Sequence, residues 1–155
     1  MNSEKKISFS SMLTPSCTLN NVQCTSKKRA LEIISEIASI ALNVPENIVF
    51  DSLLTREKVG TTAIGGGIAI PHGTLHNCHS SETVGVFLQL AKPIAFGAID
   101  NQSVDLLFAL LVPSEQYAAH LHTLSVIAKR LSDKNLCRHL RAAKNPEELY
   151  QLITK

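Results

Sequence analysis

The chain has 155 residues, of which 45% are hydrophobic and 18% charged, and its formal net charge is +2. This length suits one domain with a sizeable core. The small net charge gives no support to binding of nucleic acid or of an anionic membrane. No apolar run reaches the length of a membrane span, and no apolar segment follows Lys5 and Lys6 as it would in a signal peptide.

Cysteine usage indicates a reducing compartment. The chain contains no C-x-x-C pair, and nothing in it suggests export. We therefore expect a cytoplasmic protein with free thiols. The cysteines are Cys17, Cys24, Cys78 and Cys137.

The first third of the chain is mostly helical in pattern. Residues 1–7 are polar, and we expect a flexible N-terminus. A short helix at residues 9–13 and an edge strand at residues 18–24 follow. Ser26 then caps a helix that runs through Leu42, because alanine, leucine and isoleucine recur there at helical spacing.

A second helix is predicted between Pro45, which suits a first turn, and Gly60, which ends it. Arg56 lies in its last turn, where a cation is favourable against the helix dipole. The same residue lies just before a glycine-rich loop and could supply a fixed positive charge there. Both explanations are open on spacing alone.

A glycine-rich loop precedes a short apolar run. Four glycines and two threonines lie between positions 60 and 67, and residues 68–70 then read as a buried strand that Pro71 ends. Glycine clusters let backbone N–H groups converge on an anion such as phosphate. We therefore expect His72 at the end of a buried strand, beside an anion-binding loop.

The second half of the chain alternates strands and helices. Residues 83–90 and 104–112 are continuous aliphatic runs, which are typical of strands covered on both faces. The fold class is therefore α/β, a mixed β-sheet with helices packed on both faces. Three helices follow: one capped by Ser114 and ending near 131, a basic helix at 133–143, and a closing helix at 145–153.

Helical spacing separates two histidines in the first of these helices. At about 100° per residue, His120 falls within an apolar stripe that includes Leu121, Leu124 and Ile127. His122 falls almost opposite and should be exposed. A histidine on an inner face is more often a hydrogen-bonded core residue than a functional one.

His72 has the chemistry of a phosphoryl acceptor. A neutral imidazole keeps one unprotonated nitrogen near neutral pH and can accept a group and pass it on. An incidental histidine after a glycine-rich turn would give the same pattern. The spacing His72, His76, His79 could also suggest a metal site, but the polar segment at 74–82 brings no suitable carboxylate or cysteine partner. We therefore expect a solvated loop at 74–82 and no metal.

A longer motif carries a family resemblance. Glu57, six residues, Ile64-Gly65, two residues and IAIPHG at 68–73 resemble the active-site signature of the fructose/mannitol-type IIA domains of the bacterial phosphotransferase system. Segments from roughly residue 8 to residue 153 are similar to one branch of that family, the nitrogen-regulatory IIA proteins. They are SKKRALEIISEIA, LTREKVG, PIAFGAIDNQSVDLLFALLVP, HLHTLSVIAKRL and EELYQLIT.

The resemblance implies a single type-2 IIA phosphotransferase domain over residues 8–155, with the fold of that family. It implies that His72 is phosphorylated, on Nε2, and that Arg56 and His120 lie beside it. We further expect loop N–H groups around Thr61 and Thr62 to stabilise charge on the phosphoryl oxygens. No cofactor is implied, because donor and acceptor are both histidines.

The resemblance also implies partners. The donor would be a histidine phosphocarrier protein, and the phosphorylation state would control binding to regulatory targets, such as potassium transport components or a sensor kinase. Three other functions stay open: a sugar-transport IIA component that passes phosphate to a separate IIB, a metal-binding protein, and an interaction module that is never phosphorylated.

Overall fold

The computed structural model describes residues 8–76 and 82–155. The predicted flexible N-terminus at 1–7 lies outside the described residues, as do Cys78 and His79. Five α-helices occur within the described ranges: Lys27–Leu42 (α1), Glu46–Val59 (α2), Tyr117–Leu131 (α3), Lys134–Arg141 (α4) and Pro146–Thr154 (α5). The strands there are Thr18–Val22 (β1), Ala63–Gly65 (β2), Ile68–Ala69 (β3), His72–Leu75 (β4), Val84–Ile94 (β5) and Val104–Pro113 (β6). Short 3-10 helices lie at Phe9–Ser11, Pro15–Cys17 and Ser114–Gln116.

The strands form one mixed sheet in the order β1-β5-β6-β3-β2, and β4 also pairs with β6. β5 and β6 are antiparallel, whereas β1 on β5, and β3 and β4 on β6, are parallel. All but one of the β6 residues are buried, and successive residues of a strand face opposite sides. Both faces of the central strands are therefore covered, which confirms the predicted α/β class. No helix in the described ranges has the length and apolarity to cross a membrane.

Several predicted helix ends are confirmed. The Ser26 side chain accepts a hydrogen bond from the Arg29 N–H and caps α1, and Gly60 follows the end of α2. Asn145 caps α5, whose first turn contains the predicted proline. Pro45 was expected inside the first turn of α2, but it occupies the position before the first helical residue.

The start of α3 was predicted too early. Residues Ser114–Gln116 form a 3-10 turn, and the Ser114 hydroxyl donates to the Glu115 carboxylate rather than capping a helix. The apolar stripe of α3 is also narrower than expected, because Leu121 is 54% exposed. The predicted end of the first long strand at residue 90 was wrong as well: β5 continues to Ile94, beyond an irregularity in its pairing with β6.

The strand that was expected to end at Pro71 is instead interrupted there. β3 pairs with β6 through Ile68 and Leu106, and β4 resumes the same parallel pairing through His72 and Leu110. Proline has no N–H to donate, but the Pro71 carbonyl accepts from the Leu110 N–H at 2.9 Å. His72 therefore begins a strand. The prediction of a loop at 74–82 was wrong for its first two residues, which belong to β4.

The next residue, Gly73, allows α2 to lie directly on β4. A Cβ at this position would overlap the Ser52 hydroxyl oxygen and come within 3.0 Å of the Ser52 carbonyl carbon. The Ser52 hydroxyl also donates to the Thr74 carbonyl at 3.2 Å. A side chain larger than glycine would push apart the two elements that form the wall of the cleft beside His72.

We predict that Gly73→Ala lowers the free energy of unfolding by about 1–3 kcal/mol, the usual cost of overpacking. Urea unfolding measures it. Gly60→Ala is the matched control, since a Cβ there has no atom within 4 Å. Adding Ser52→Ala should restore only part of the loss, because the Ser52 Cβ would remain 3.1 Å away. Equal stability of Gly73→Ala and the wild type would contradict this packing.

Candidate active site

Three elements bring His72, Arg56 and His120 together, and the first two of these residues line a cleft. His72 begins β4, Arg56 lies in the last turn of α2, and His120 lies in the first turn of α3. The His72 and His120 ring centroids are 5.4 Å apart. The cleft has a volume of about 440 Å³. It is lined by Ile48, Asp51, Ser52, Thr55, Arg56, Val59, His72, Gly73, Thr74, Leu75, His76 and Tyr117.

The two nitrogens of the His72 ring have opposite partners. Nδ1 lies 2.9 Å from the Ile70 carbonyl oxygen, which can only accept a hydrogen bond. Nε2 lies 3.1 Å from the Arg56 Nε–H, which can only donate. The ring is therefore held as the neutral tautomer, with its proton on Nδ1 and its lone pair on Nε2.

The surroundings keep this ring neutral. Burial lowers the pKa of His72, and the positive charge of Arg56 lowers it further, although the Ile70 hydrogen bond and the Glu57 carboxylate act in the opposite direction. The net effect lowers the pKa below the ordinary 6.5. A half-buried imidazole with a free lone pair at neutral pH is a competent nucleophile.

His120 lies deeper than His72. It is only 3% exposed, and within the described residues neither of its ring nitrogens has a hydrogen-bond partner. Burial, with a smaller contribution from His72, lowers its pKa to about 4. The histidine on the inner face is thus neutral, but it is not the satisfied core residue that a buried histidine usually is.

Arg56 is held by two contacts. Its Nε donates to His72, and its NH1 donates to the Gly60 carbonyl at 2.9 Å. Gly60 directly follows α2, so this carbonyl is part of the turn that leaves the helix. The guanidinium therefore contacts both the His72 ring and the turn after α2, with its charge next to Nε2.

The glycines at 65–67 lie elsewhere, contrary to the expectation of an anion-binding loop beside His72. They form the turn between β2 and β3, with φ of 95°, 67° and 83°. Along β6, the register places Ile68 four residues before His72, which is about 13 Å. The Gly66 N–H donates to the Asp100 carboxylate, and the Gly66 carbonyl accepts from Arg141. The backbone groups of Gly66 therefore already have hydrogen-bond partners within the protein.

The two threonines of the loop make internal contacts. The Thr62 N–H and hydroxyl both donate to the Glu57 carboxylate, at 2.9 and 2.7 Å. The Thr61 hydroxyl donates to the Phe96 carbonyl at 2.8 Å. A phosphoryl-stabilising role for Thr62 would require those bonds to be exchanged, and for both threonines it stays a prediction.

Three of the other four histidines lie in the described residues. His76 lines the cleft, His122 is exposed as expected, and His139 on α4 is exposed too. His79 lies outside the described residues. Within residues 8–76 and 82–155, no three side chains of the metal-binding types converge.

Sequence reasoning missed two features of the site. The Tyr117 ring lies 5.9 Å from the His120 ring, and the spacing of three residues on one helix could have indicated this contact. Glu57 is buried beneath the loop and pairs with Lys27 at 2.7 Å. Glu57 begins the signature and was given no role, while nothing in the sequence pointed to Lys27.

Comparisons with known proteins show the family of this chain. Residues 11–155 match the family described as phosphoenolpyruvate-dependent sugar phosphotransferase system, EIIA 2. The chain is 60% identical over 153 residues to the nitrogen regulatory protein of Escherichia coli (strain K12), which covers 99% of this chain and 93% of that protein.

Solved structures show the same fold. The crystal structure of the nitrogen regulatory protein IIA-Ntr from Neisseria meningitidis has a TM-score of 0.86 at 32% identity, covering 92% of this chain and 97% of that one. IIA mannitol from Escherichia coli has a TM-score of 0.71 at 20% identity, covering 96% and 99%, a likeness of fold alone. The chain therefore belongs to the EIIA type-2 family of the phosphoenolpyruvate-dependent phosphotransferase system, in the branch of the nitrogen regulatory proteins.

Proposed function

We propose that His72 accepts a phosphoryl group from a phosphorylated histidine phosphocarrier protein and that its phosphorylation state controls binding to regulatory targets. The observation that carries this proposal is the tautomer of His72. The Ile70 carbonyl holds the ring proton on Nδ1, so the lone pair of Nε2 faces the cleft beside Arg56. Such a relay would operate in the cytoplasm.

The transfer needs no proton to move within this protein. The Nε2–P bond forms while the N–P bond of the donor breaks, and the donor imidazole leaves with that electron pair. Nδ1 keeps its proton and its bond to Ile70 throughout. Because Nε2 can no longer accept from Arg56 once it carries phosphorus, the guanidinium would shift from the ring to the phosphoryl oxygens.

His120 supplies the second contact to the phosphoryl group. Its ring is neutral at pH 7, so one nitrogen carries a proton that can be donated to a phosphoryl oxygen. In the unphosphorylated protein neither nitrogen has a partner among residues 8–76 and 82–155. A donor without a partner, placed beside the acceptor ring, is preorganised for a charge that is not yet present.

Regulation is the purpose that we propose for the relay. Two nitrogen regulatory proteins are each 60% identical to this chain over 153 residues. A fructose-specific EIIA component from Haloferax volcanii is 32% identical over 130 residues. Phosphorylation of His72 would add negative charge to the cleft and so change its contacts by repulsion and desolvation. Potassium transport components and a sensor kinase are the targets that we propose, and the unphosphorylated form is the one that binds them.

The first prediction concerns the acceptor. Incubation with phosphoenolpyruvate, the first enzyme of the system and its histidine phosphocarrier should add one phosphoryl group to the wild type and none to His72→Ala. Intact mass spectrometry at neutral pH measures the gain, and the group should be lost on acidification because a phosphoramidate is acid-labile.

His122→Ala is the matched control, since it removes an exposed histidine two residues from His120 and should be phosphorylated as the wild type is. Absence of a mass gain in the wild type would overturn the phosphoryl-acceptor proposal. A gain in His72→Ala equal to that of the wild type would place the acceptor at another residue.

The second prediction concerns pH and stability. His120 has a pKa of about 4 in the folded protein, against about 6.5 in an unfolded chain. Between these values the unfolded chain binds more protons, so the free energy of unfolding falls as pH is lowered through this window. His120 should account for about 2 kcal/mol of loss at pH 5 relative to pH 7, and the lowered pKa of His72 acts in the same direction.

Urea unfolding of the wild type and of His120→Gln at pH 7 and pH 5 tests this expectation. The difference between the two pH values should be about 2 kcal/mol smaller in the variant. If both proteins lost the same stability on acidification, His120 would not be held neutral by burial.

The third prediction concerns the targets. A purified target that binds the unphosphorylated protein should lose affinity when His72 is phosphorylated, while His72→Ala should keep its affinity under phosphorylating conditions. Isothermal titration calorimetry before and after phosphorylation measures the change. Equal affinity in the two states would mean that phosphorylation does not control the contact.

A further inference from the structure

A buried carboxylate lies one residue after Arg56. Glu57 is 8% exposed, and it is the only buried acidic residue among those that the structure describes. Its two oxygens accept from the Thr62 N–H and from the Thr62 hydroxyl. Burial of a carboxylate is costly unless every oxygen has partners, so these contacts decide where the loop after α2 can lie.

The counter-ion of this carboxylate comes from another helix. The Lys27 Nζ lies 2.7 Å from Glu57, donates to the Phe96 carbonyl at 3.2 Å and lies 4.5 Å from the centre of the Phe96 ring. The Thr61 hydroxyl donates to the same carbonyl. The start of α1, the end of α2 and the segment after β5 are thus joined at one point.

This anchor is connected to the acceptor histidine by a short path. Gly60 lies between Glu57 and Thr62 in the chain, and its carbonyl accepts from the Arg56 NH1. When Thr62 is fixed on Glu57, the Gly60 carbonyl is fixed too, and the guanidinium is held with its Nε at 3.1 Å from His72 Nε2. Gly60 itself has no side chain and no atom within 4 Å of the position of a Cβ, so its own packing does not hold it.

We propose that Glu57 is a positioning residue for phosphoryl transfer: by binding Thr62 it fixes the Gly60 carbonyl, which holds the Arg56 guanidinium against His72. This inference rests on the proposed function, because it assigns a role within the transfer to His72. It is distinct from an effect of the Glu57 charge on His72, which would not pass through Arg56.

Two substitutions separate position from charge. In Glu57→Gln the amide oxygen can accept from the Thr62 N–H and from Lys27, while the amide NH₂ can donate to the Thr62 hydroxyl oxygen. This variant keeps the geometry and loses only the charge. Glu57→Ala loses the charge and every one of these contacts, so a positional role should affect only Glu57→Ala.

The first measurement is the pKa of His72, determined by NMR titration of its ring in the absence of any phosphoryl donor. The charged or titratable groups near the ring are Arg56, Glu57 and His120, and Asp51, His76 and Tyr117 also line the cleft. The Glu57 charge raises the pKa of His72, while the Arg56 charge lowers it with a larger effect. We expect the pKa to fall in Glu57→Gln, and in Glu57→Ala to rise above the wild-type value because the guanidinium moves away.

The second measurement is the rate of phosphoryl transfer from the phosphorylated carrier, as a function of carrier concentration. We expect Glu57→Ala to reduce the maximal rate by about 10- to 100-fold, the effect of misplacing a catalytic group by about 1 Å. The half-saturating carrier concentration should not change, since the anchor is buried. Glu57→Gln should transfer at close to the wild-type rate.

A double-mutant cycle identifies the route of the effect. In an Arg56→Ala background, Glu57→Ala should cause no further loss of rate, because there is no guanidinium left to position. A full loss in that background would overturn the proposal. So would a fall in the pKa of His72 in Glu57→Ala equal to that in Glu57→Gln, since the charge alone would then explain it.

Thr62→Val decides the question if Glu57→Ala does not fold. It removes the shorter of the two hydrogen bonds to the carboxylate and keeps the N–H bond and the charge of Glu57. We expect a smaller rise in the pKa of His72 than in Glu57→Ala, because the loop is loosened rather than released, and a pKa and a transfer rate that both equal the wild-type values would overturn the proposal. The titration also separates this inference from the function on which it rests. If the wild type accepts no phosphoryl group, the proposed function fails, whereas the titration still shows whether Glu57 positions Arg56.

Discussion

The hydrogen bond from His72 Nδ1 to the Ile70 carbonyl is the constraint on which the chemistry of the cleft depends. It exists because the strand position beside β6 is occupied by two short strands with a break between them. Ile70 lies in that break, after β3 and before β4, so its carbonyl lies outside both runs of paired residues. Proline at the next position favours the break, since it cannot donate to the ladder. A backbone carbonyl thereby holds the proton on Nδ1, and the Arg56 side chain donates to the other ring nitrogen.

The electrostatics of the cleft suit a phosphoryl dianion better than the unphosphorylated state. Arg56 supplies a guanidinium charge, and burial lowers the pKa of each of the two histidines beside it. Without a phosphoryl group, His120 has no hydrogen-bond partner within the described residues. An incoming dianion would satisfy both the guanidinium and this imidazole. Three positive charges this close together would repel each other, and this repulsion adds to burial in lowering the two histidine pKa values.

The sequence predicted those parts of the molecule that depend on local pattern. Ser26 and the helix that it caps, the aliphatic strand β6 and the inward orientation of His120 follow from caps and periodicity. The break at Pro71 was only half predicted, because the continuation as β4 depends on pairing with a strand more than thirty residues later. The position of the glycine turn depends on the same pairing with β6. The sequence therefore predicted residues 65–67 beside His72, whereas in the structure this turn precedes β3 and His72 follows it.

The contact between Glu57 and Thr62 explains why the loop threonines were hard to interpret from sequence. A threonine beside an acceptor histidine offers an N–H and a hydroxyl, which are the groups that a phosphoryl oxygen would accept. A buried carboxylate competes for the same donors, and in this structure Glu57 binds both donors of Thr62. The loop therefore contributes to the site through the placement of Arg56. Since burial of the Glu57 carboxylate is tolerable only with these bonds in place, the geometry that holds the guanidinium is maintained by the same interactions that stabilise the fold.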